Sequence, residues 1–332
     1  MLVGGCMKPI SIFDRIGLQK QIDLQRSSGW DLQTDFQWSK GVDLERSFAP
    51  LDSDNMAFPG ASTEQAVALS QLMGLMVNET ISEMECSLPR MKYHGWEKLL
   101  AQFPANPELH ELGEIFFAEE EKHAKSFQKF LEIFCHQINV SPEELKSLLP
   151  SGKNSLFQAA LLWNAEQGGA AFWWTVAAVE ETSIQAYRAI VQKKNETDPL
   201  YFELHKRHAE EESRHDSYAF MMLDVYQRLP KSLKQRAFLK TDLLLSQLLP
   251  GPWVLTELAK IFSVKKLAHR SPFFRVLADT LPLFENMPKA TLIKNFWTKT
   301  PYVSWLINPA FRKKGGQGWA LPQGSRKPLH GI

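Results

Sequence analysis

The chain has 332 residues, and its 38 lysines and arginines nearly balance its 37 aspartates and glutamates. This balance argues against a strongly basic nucleic-acid-binding protein and against an acidic disordered chain. Hydrophobic residues make up 44% of the sequence, enough for a large core in one or two domains. The cysteines Cys6, Cys86 and Cys135 are widely scattered, which favours neither a disulfide framework nor a cysteine metal site.

Neither a membrane segment nor a secretory signal is predicted. The longest strongly apolar stretch, Ala170–Val179, is shorter than the roughly 20 residues that a membrane-spanning helix needs. Residues 1–13 lack a basic region followed by a sustained apolar one. We therefore expect a cytoplasmic protein that binds neither membranes nor nucleic acid.

The first half of the chain changes character near residue 61. Residues 1–60 contain many Gly, Ser and Pro residues and predict an irregular or lightly structured N-terminal extension that packs on the rest of the protein. Helical periodicity then predicts one helix over residues 61–88 and a second over residues 107–137. Ser141 and Glu144 have the spacing of a capping box, which predicts a further helix start.

The second half also predicts helices. A third long run reaches about Asn195, with Gly168-Gly169 as its weak point, and a fourth extends from about Asp198 to Leu229. Shorter helical patterns and a basic tail follow, over residues 232–249, 254–268 and 273–284 and from Asn286 onward. Strand signals are sparse, so we predict an all-α protein with a helical bundle over residues 61–230, and residues 231–332 in the same domain.

Two of the long predicted helices carry carboxylates and imidazoles on faces that are otherwise apolar. The face of the second helix consists of Phe116, Glu120, His123, Phe127, Phe130 and Phe134, and that of the fourth of Tyr201, His205, His208, Glu212, His215, Ala219 and Met222. Unpaired ionised groups inside a bundle cost several kcal/mol each, and a divalent metal relieves that cost. The neighbours Glu119, Glu121 and Lys122 are predicted to be solvated.

The other two long helices also carry glutamates that can point inward. The candidates are Glu83 or Glu85 on the first helix and Glu180 or Glu181 on the third. We prefer Glu85 from the face it shares with apolar residues, whereas periodicity does not decide on the third helix. The order Glu, Glu-x-x-His, Glu, Glu-x-x-His is the scheme by which a four-helix bundle holds two metal ions. Carboxylates with imidazoles suit iron or manganese better than magnesium or a structural zinc.

His208 extends the pattern, because it lies on the face of Glu212 and His215 one turn earlier. His205 is expected to support the site or lie on the surface rather than bind a metal. The seven residues thus form a set that resembles the metal ligands of the para-aminobenzoate N-oxygenase family, which comprises ferritin-like non-haem di-iron arylamine oxygenases. The set is Glu85, Glu120, His123, Glu181, His208, Glu212 and His215. Within it the resemblance favours Glu181 over Glu180.

The resemblance covers roughly Trp30 to Leu229 and implies a ferritin-like four-helix core, two iron ions and dioxygen as co-substrate. The implied reaction activates dioxygen through a peroxo intermediate. It oxidises a small amine, most simply an arylamine, to a hydroxylamine, nitroso or nitro product. An external electron donor is required, manganese is an alternative metal, and a homodimer is an alternative to a monomer.

Several alternatives stay open at the level of sequence. A related di-iron oxygenase could hydroxylate or desaturate carbon, a ferritin-like protein could bind iron without catalysis, and a helical scaffold could lack metal. The run Phe172-Trp173-Trp174 is predicted to pack in the core, with a pocket for a flat ring as the sharper alternative. The basic tail is predicted to be solvated, and an acidic carrier protein that delivers substrate is a further hypothesis.

Overall fold

The computed structural model describes residues 11–49, 60–102, 106–150, 156–229, 242 and 259–285. Within these ranges the protein is predominantly helical and contains no β-strand, which confirms the predicted all-α class. Ten α-helices are described, in chain order α1 (Arg15–Ser28), α2 (Thr63–Glu85), α3 (Leu88–Lys92), α4 (Lys98–Leu100), α5 (Pro107–Gln137), α6 (Pro142–Lys146), α7 (Leu156–Glu166), α8 (Ala171–Gln192), α9 (Pro199–Arg228) and α10 (Pro272–Glu285). A π-helical turn, Tyr93–Glu97, joins α3 to α4, and a 3-10 segment, Ala259–Leu267, precedes α10.

The four long helices lie where the sequence predicts them. Helix α5 has the predicted bounds, and the Ser141–Glu144 capping box forms at the start of α6. Helix α2 ends at Glu85, three residues before the predicted end. The predicted third run divides into α7 and α8 at the expected weak point, where Gly168 adopts a φ of 76° that favours glycine.

The prediction that residues 1–60 are irregular is wrong for Arg15–Ser28, which form α1. Asp14 caps this helix by accepting a hydrogen bond from the backbone N–H of Gly17. Leu18 and Ile22, four residues apart, are buried on the face that packs against α5 and α9. The first helix of the chain therefore covers a face of α5 that was expected to meet solvent.

Two apolar clusters flank a polar layer in the long helices. One cluster contains the C-terminal part of α5 and the N-terminal parts of α2 and α9, including Phe130 and Tyr201. The other contains the N-terminal parts of α5 and α8 and the C-terminal part of α9, including Phe116 and Met222. Helices α5 and α9 therefore run antiparallel, and their Glu-x-x-His segments lie in the layer between the two clusters.

Part of the predicted C-terminal structure lies outside the described residues. This applies to most of residues 232–249, to residues 254–258 and to the basic tail from Asn286. The 3-10 segment Ala259–Leu267 occupies the remainder of the predicted helix at 254–268, and α10 covers the predicted helix at 273–284.

Candidate metal centre

Six of the seven predicted ligands lie together in the polar layer between the apolar clusters. Glu85 is the last residue of α2, α5 contributes two of the side chains and α9 contributes three. All six are buried and at most 5% exposed: Glu85, Glu120, His123, His208, Glu212 and His215. Two Glu-x-x-His segments and one further helix end thus converge on one point.

These six side chains form two overlapping groups, each of which could hold a metal ion. One group consists of Glu85, His123, His208 and Glu212, and the other of Glu120, His123, Glu212 and His215. Within each group the candidate ligand atoms all lie within 4.8 Å of one another. Because the two groups overlap at His123 and Glu212, two cations held here would be adjacent, with the Glu212 carboxylate able to contact both and His123 binding one of them through Nδ1.

Glu212 lies at the centre of the arrangement. Its Oε1 is 2.6 Å from Nε2 of His208 and 3.0 Å from Nδ1 of His123, and its Oε2 is 3.2 Å from Nδ1 of His215. Oε1 of Glu85 is 3.0 Å from Nε2 of His208, and Oε1 of Glu120 is 2.8 Å from Nδ1 of His215. One carboxylate therefore approaches all three imidazoles.

Several of these atoms are buried without a hydrogen bond of acceptable geometry. Among the six clustered side chains these atoms are Nδ1 of both His123 and His208, Oε2 of Glu85, and Oε1 of both Glu120 and Glu212. An unsatisfied buried polar atom costs about 1–3 kcal/mol, more when it is charged. Lone pairs on carboxylate oxygens and neutral imidazole nitrogens are the ligands that iron and manganese accept. The donor set therefore fits divalent transition-metal ions.

The outward nitrogens of two histidines contact a second pair of glutamates. Nε2 of His123 is 2.6 Å from Oε2 of Glu211, and Nε2 of His215 is 2.8 Å from Oε2 of Glu119. Lys122 Nζ donates to Oε1 of Glu211 at 2.7 Å. The prediction that Glu119 is solvated is wrong, because α1 packs against α5 and leaves Glu119 only 8% exposed.

A repeated sequence pattern marks Glu119 and Glu211, although helical periodicity alone does not indicate them. The pattern E-E-x-[KR]-H occurs twice, as residues 119–123 on α5 and residues 211–215 on α9. Its basic position is Lys122 in one copy and Arg214 in the other. Nη2 of Arg214 lies 3.8 Å from Oε1 of Glu119 and 3.7 Å from Oε1 of Glu211.

Burial and mutual contact shift the pKa values of the cluster strongly. Burial, with the nearby Glu120 and Glu212, raises the pKa of Glu85 well above its usual range. Burial opposes charge on His123, but the hydrogen bond with Glu211 and the adjacent carboxylate of Glu212 outweigh it and raise its pKa to about 9. Burial alone would raise the pKa of Glu212, yet the imidazoles of His215 and His123 lower it to about 2. Protons on the histidines therefore compensate the carboxylates in the metal-free protein.

His208 differs from the other two histidines of the cluster. Burial lowers its pKa well below the usual range, and the positive charge of His123 lowers it further. A neutral imidazole is the form that binds a metal, so His208 needs to lose no proton to become a ligand.

The two glutamates of α8 occupy different surroundings. Glu180 is 4% exposed and lines a cavity together with Glu85 and Glu120. Glu181 is half-buried, accepts a hydrogen bond from Gln185 Nε2 at 2.6 Å, and belongs to neither ligand group. The assignment of Glu181 as a ligand stays a prediction, and the position of Glu180 makes it the stronger candidate.

The cavity lies between α2, α3, α5, α7 and α8, and its wall includes the proposed ligands Glu85 and Glu120. Apart from the three glutamates, its walls are mostly apolar, with a few polar groups: Met84, Ser87, Leu88, Met91, Gln158, Leu161, Phe172, Thr175, Val176 and Val179. Phe172 is thus part of the cavity wall, whereas Trp173 is buried in the core and donates from Nε1 to the carbonyl of Gly95 at 2.7 Å. All three residues of the aromatic run therefore lie in the core or pack against it, as predicted, and a pocket for a flat ring stays a prediction.

The remaining candidates lie outside the ligand groups. His205 is buried with Nε2 at 2.8 Å from Oδ1 of Asn78, and Glu83 belongs to neither group. Cys86 and Cys135 are free thiols, the first exposed and the second buried. Neither thiol is near enough to join the groups.

Comparisons with protein-family models, with curated proteins and with solved structures found no match to this chain. Within the described residues, no helix is both long and apolar enough to cross a membrane.

Proposed function

We propose that this protein is a non-haem di-iron oxygenase that activates dioxygen and oxidises the nitrogen of a small amine, most simply an arylamine. The observation that carries the proposal is the pair of overlapping buried groups that share His123 and Glu212. We further propose that α2, α5, α8 and α9 form a ferritin-like four-helix core around the two ions and that the enzyme works in the cytoplasm.

The proposed ligands are the six clustered side chains and a glutamate of α8. Glu85, Glu120, Glu212 and the α8 glutamate would supply four negative charges, which balance two divalent ions. Two ferrous ions held here would supply electrons for the reduction of dioxygen. The protein would contribute the ligand geometry and a site from which bulk water is excluded, since all six clustered side chains are buried.

The cavity supports an organic substrate. Its mostly apolar walls end at Glu85 and Glu120, so a small apolar molecule within it would lie directly beside two proposed ligands. Phe172 could pack against a flat ring on one wall. The cavity volume is about 30 Å³, so an aromatic amine would enter only after wall side chains move apart, while the apolar walls disfavour a strongly hydrated substrate.

The proposed reaction balances with an external electron donor. Insertion of one oxygen atom into an N–H bond converts the amine to a hydroxylamine, and the second oxygen atom leaves as water. This step consumes one dioxygen, two electrons and two protons. A reductase or ferredoxin would deliver the electrons, and further turnovers would lead to the nitroso and nitro products.

The test is anaerobic reconstitution with ferrous iron, followed by ¹⁸O₂ and a panel of anilines that includes para-aminobenzoate. We expect two ions per chain and a product in which ¹⁸O is bound to nitrogen. Label on carbon would instead indicate a hydroxylase, and iron oxidation without an organic product would indicate an iron-binding protein. Fewer than two ions per chain would overturn the di-iron proposal.

A further inference from the structure

The two E-E-x-[KR]-H segments connect the metal-binding residues of one helix to a carboxylate of the other. Glu119 of α5 accepts from His215 of α9, and Glu211 of α9 accepts from His123 of α5. In both cases the bond is made by Nε2, so that Nδ1 faces the ligand cluster. The relation is reciprocal and follows the internal repeat in the sequence.

We propose that Glu119 and Glu211 are positioning residues that hold His215 and His123 with Nδ1 free for a metal ion. This inference rests on the proposed function. An ionised carboxylate only accepts hydrogen bonds, so a proton on Nε2 is fixed there and the lone pair stays on Nδ1. A metal-binding histidine whose other nitrogen donates to a carboxylate is also a stronger ligand and has a fixed ring orientation.

Both carboxylates are held in place by contacts outside the ligand cluster. Glu211 is fully buried, and Lys122 Nζ donates to its Oε1, while Oε2 accepts from His123. Glu119 receives a longer hydrogen bond from Gln25 Nε2 of α1, at 3.4 Å. The ammonium group of Lys122 also lies 4.1 Å from the ring centroid of Trp30, whose ring stacks on His123.

The two histidine–carboxylate pairs, His123–Glu211 and His215–Glu119, are therefore not equivalent. Nη2 of Arg214 lies at a similar distance from both carboxylates, so the pairs differ in Lys122, which donates to Glu211, and in the neutral Gln25, which donates to Glu119.

The test uses four variants, Glu119→Gln, Glu119→Met, Glu211→Gln and Glu211→Met, with Glu121→Gln as the matched control. Glu121 lies on α5 beside these residues, but its side chain is 63% exposed and forms an ion pair with Lys125 at the surface. Gln keeps an acceptor oxygen without the charge, and Met removes the acceptor at a similar side-chain volume. Each protein is titrated anaerobically with Co²⁺, whose visible absorption reports on the ligands, and with Fe²⁺.

We expect each Met variant to bind metal roughly 10–100-fold more weakly than the native protein, with a changed Co²⁺ spectrum. The Gln variants should lie between the Met variants and the native protein, and Glu121→Gln should match the native protein. Native-like affinity and spectrum in folded Gln and Met variants would overturn the inference. If a Met variant does not fold, the corresponding Gln variant decides. Failure of the native protein itself to bind two ions would instead overturn the proposed function.

Discussion

Glu212→Gln is the substitution that tests the shared ligand most directly. Glu212 belongs to both candidate groups, whereas Glu120 belongs to one. Loss of Glu212 should therefore weaken the binding of both ions, and Glu120→Gln should affect mainly the ion beside His215. If the two ions shared no ligand, each of the two substitutions would weaken the binding of one ion only.

The expected effect on thermal stability follows from the coupling between metal binding and folding. A metal that binds only the folded protein, at 100 times its Kd, stabilises that protein by about 2.7 kcal/mol, and two such ions by about 5 kcal/mol. For a chain of this size we expect a rise in Tm on the order of 10 °C. Glu120→Gln should retain about half of this rise, and Glu212→Gln little or none of it.

The assay is thermal unfolding of each variant with and without Mn²⁺ or anaerobic Fe²⁺, so that each protein is its own reference. The metal-free Glu212→Gln protein should also be less stable than the native one, by about 3–5 kcal/mol, since a buried countercharge of His123 and His215 is lost. The exposed Glu121→Gln provides the control. If Glu212→Gln keeps half or more of the metal-induced rise in Tm, the shared-ligand geometry is refuted.

Three further predictions concern the same site. Glu180→Gln should lower the bound metal per chain, measured by elemental analysis, whereas Glu181→Gln should leave it unchanged, and the reverse result would reinstate Glu181. Val179→Phe should narrow the cavity and lower the rate of product formation by roughly tenfold or more, because a displaced substrate reacts poorly. The metal content should stay at two ions per chain. An unchanged rate would show that the substrate does not bind in the cavity. The pKa of His123 is raised to about 9 from a usual 6.5, so protonated His123 contributes about 3 kcal/mol to the free energy of unfolding of the metal-free protein. This contribution is complete below pH 6.5 and is lost as the pH rises through 9. Urea unfolding without metal should show the loss, and a free energy of unfolding that rises over this interval would contradict it.

Local sequence rules predicted the features that depend on one helix at a time. The bounds of α5 follow from a proline start and a regular apolar face, and the Ser141 capping box forms as its spacing requires. The break at Gly168 follows from the conformational freedom of glycine. The candidate ligands on α5 and α9 were found for the same reason, since a carboxylate and an imidazole on an apolar face are conspicuous within a single helix.

Features that depend on packing between distant segments were not predicted. The position of Glu119 on α5 predicts exposure to solvent, and its burial depends on contact with α1. Helix α1 was not predicted, because residues 1–60 contain many Gly, Ser and Pro residues. Glu180 and Glu181 are neighbours about 100° apart on α8, and each has apolar residues on its own face. Only the position of the cavity between α2, α5 and α8 separates them.

The pKa pattern explains how so many ionisable groups can be buried before any metal is present. Protons on His123 and His215 neutralise Glu211 and Glu212, and Glu85, with its raised pKa, keeps a proton of its own. Uptake of divalent ions here would replace these protons at the same place, so that binding would release protons and strengthen as the pH rises. Because apolar clusters lie on both sides of the polar layer, the helices stay packed during this exchange. Glu119 and Glu211 are not among the proposed metal ligands and contact Nε2 rather than Nδ1, so they could hold the histidines in one orientation before and after the exchange.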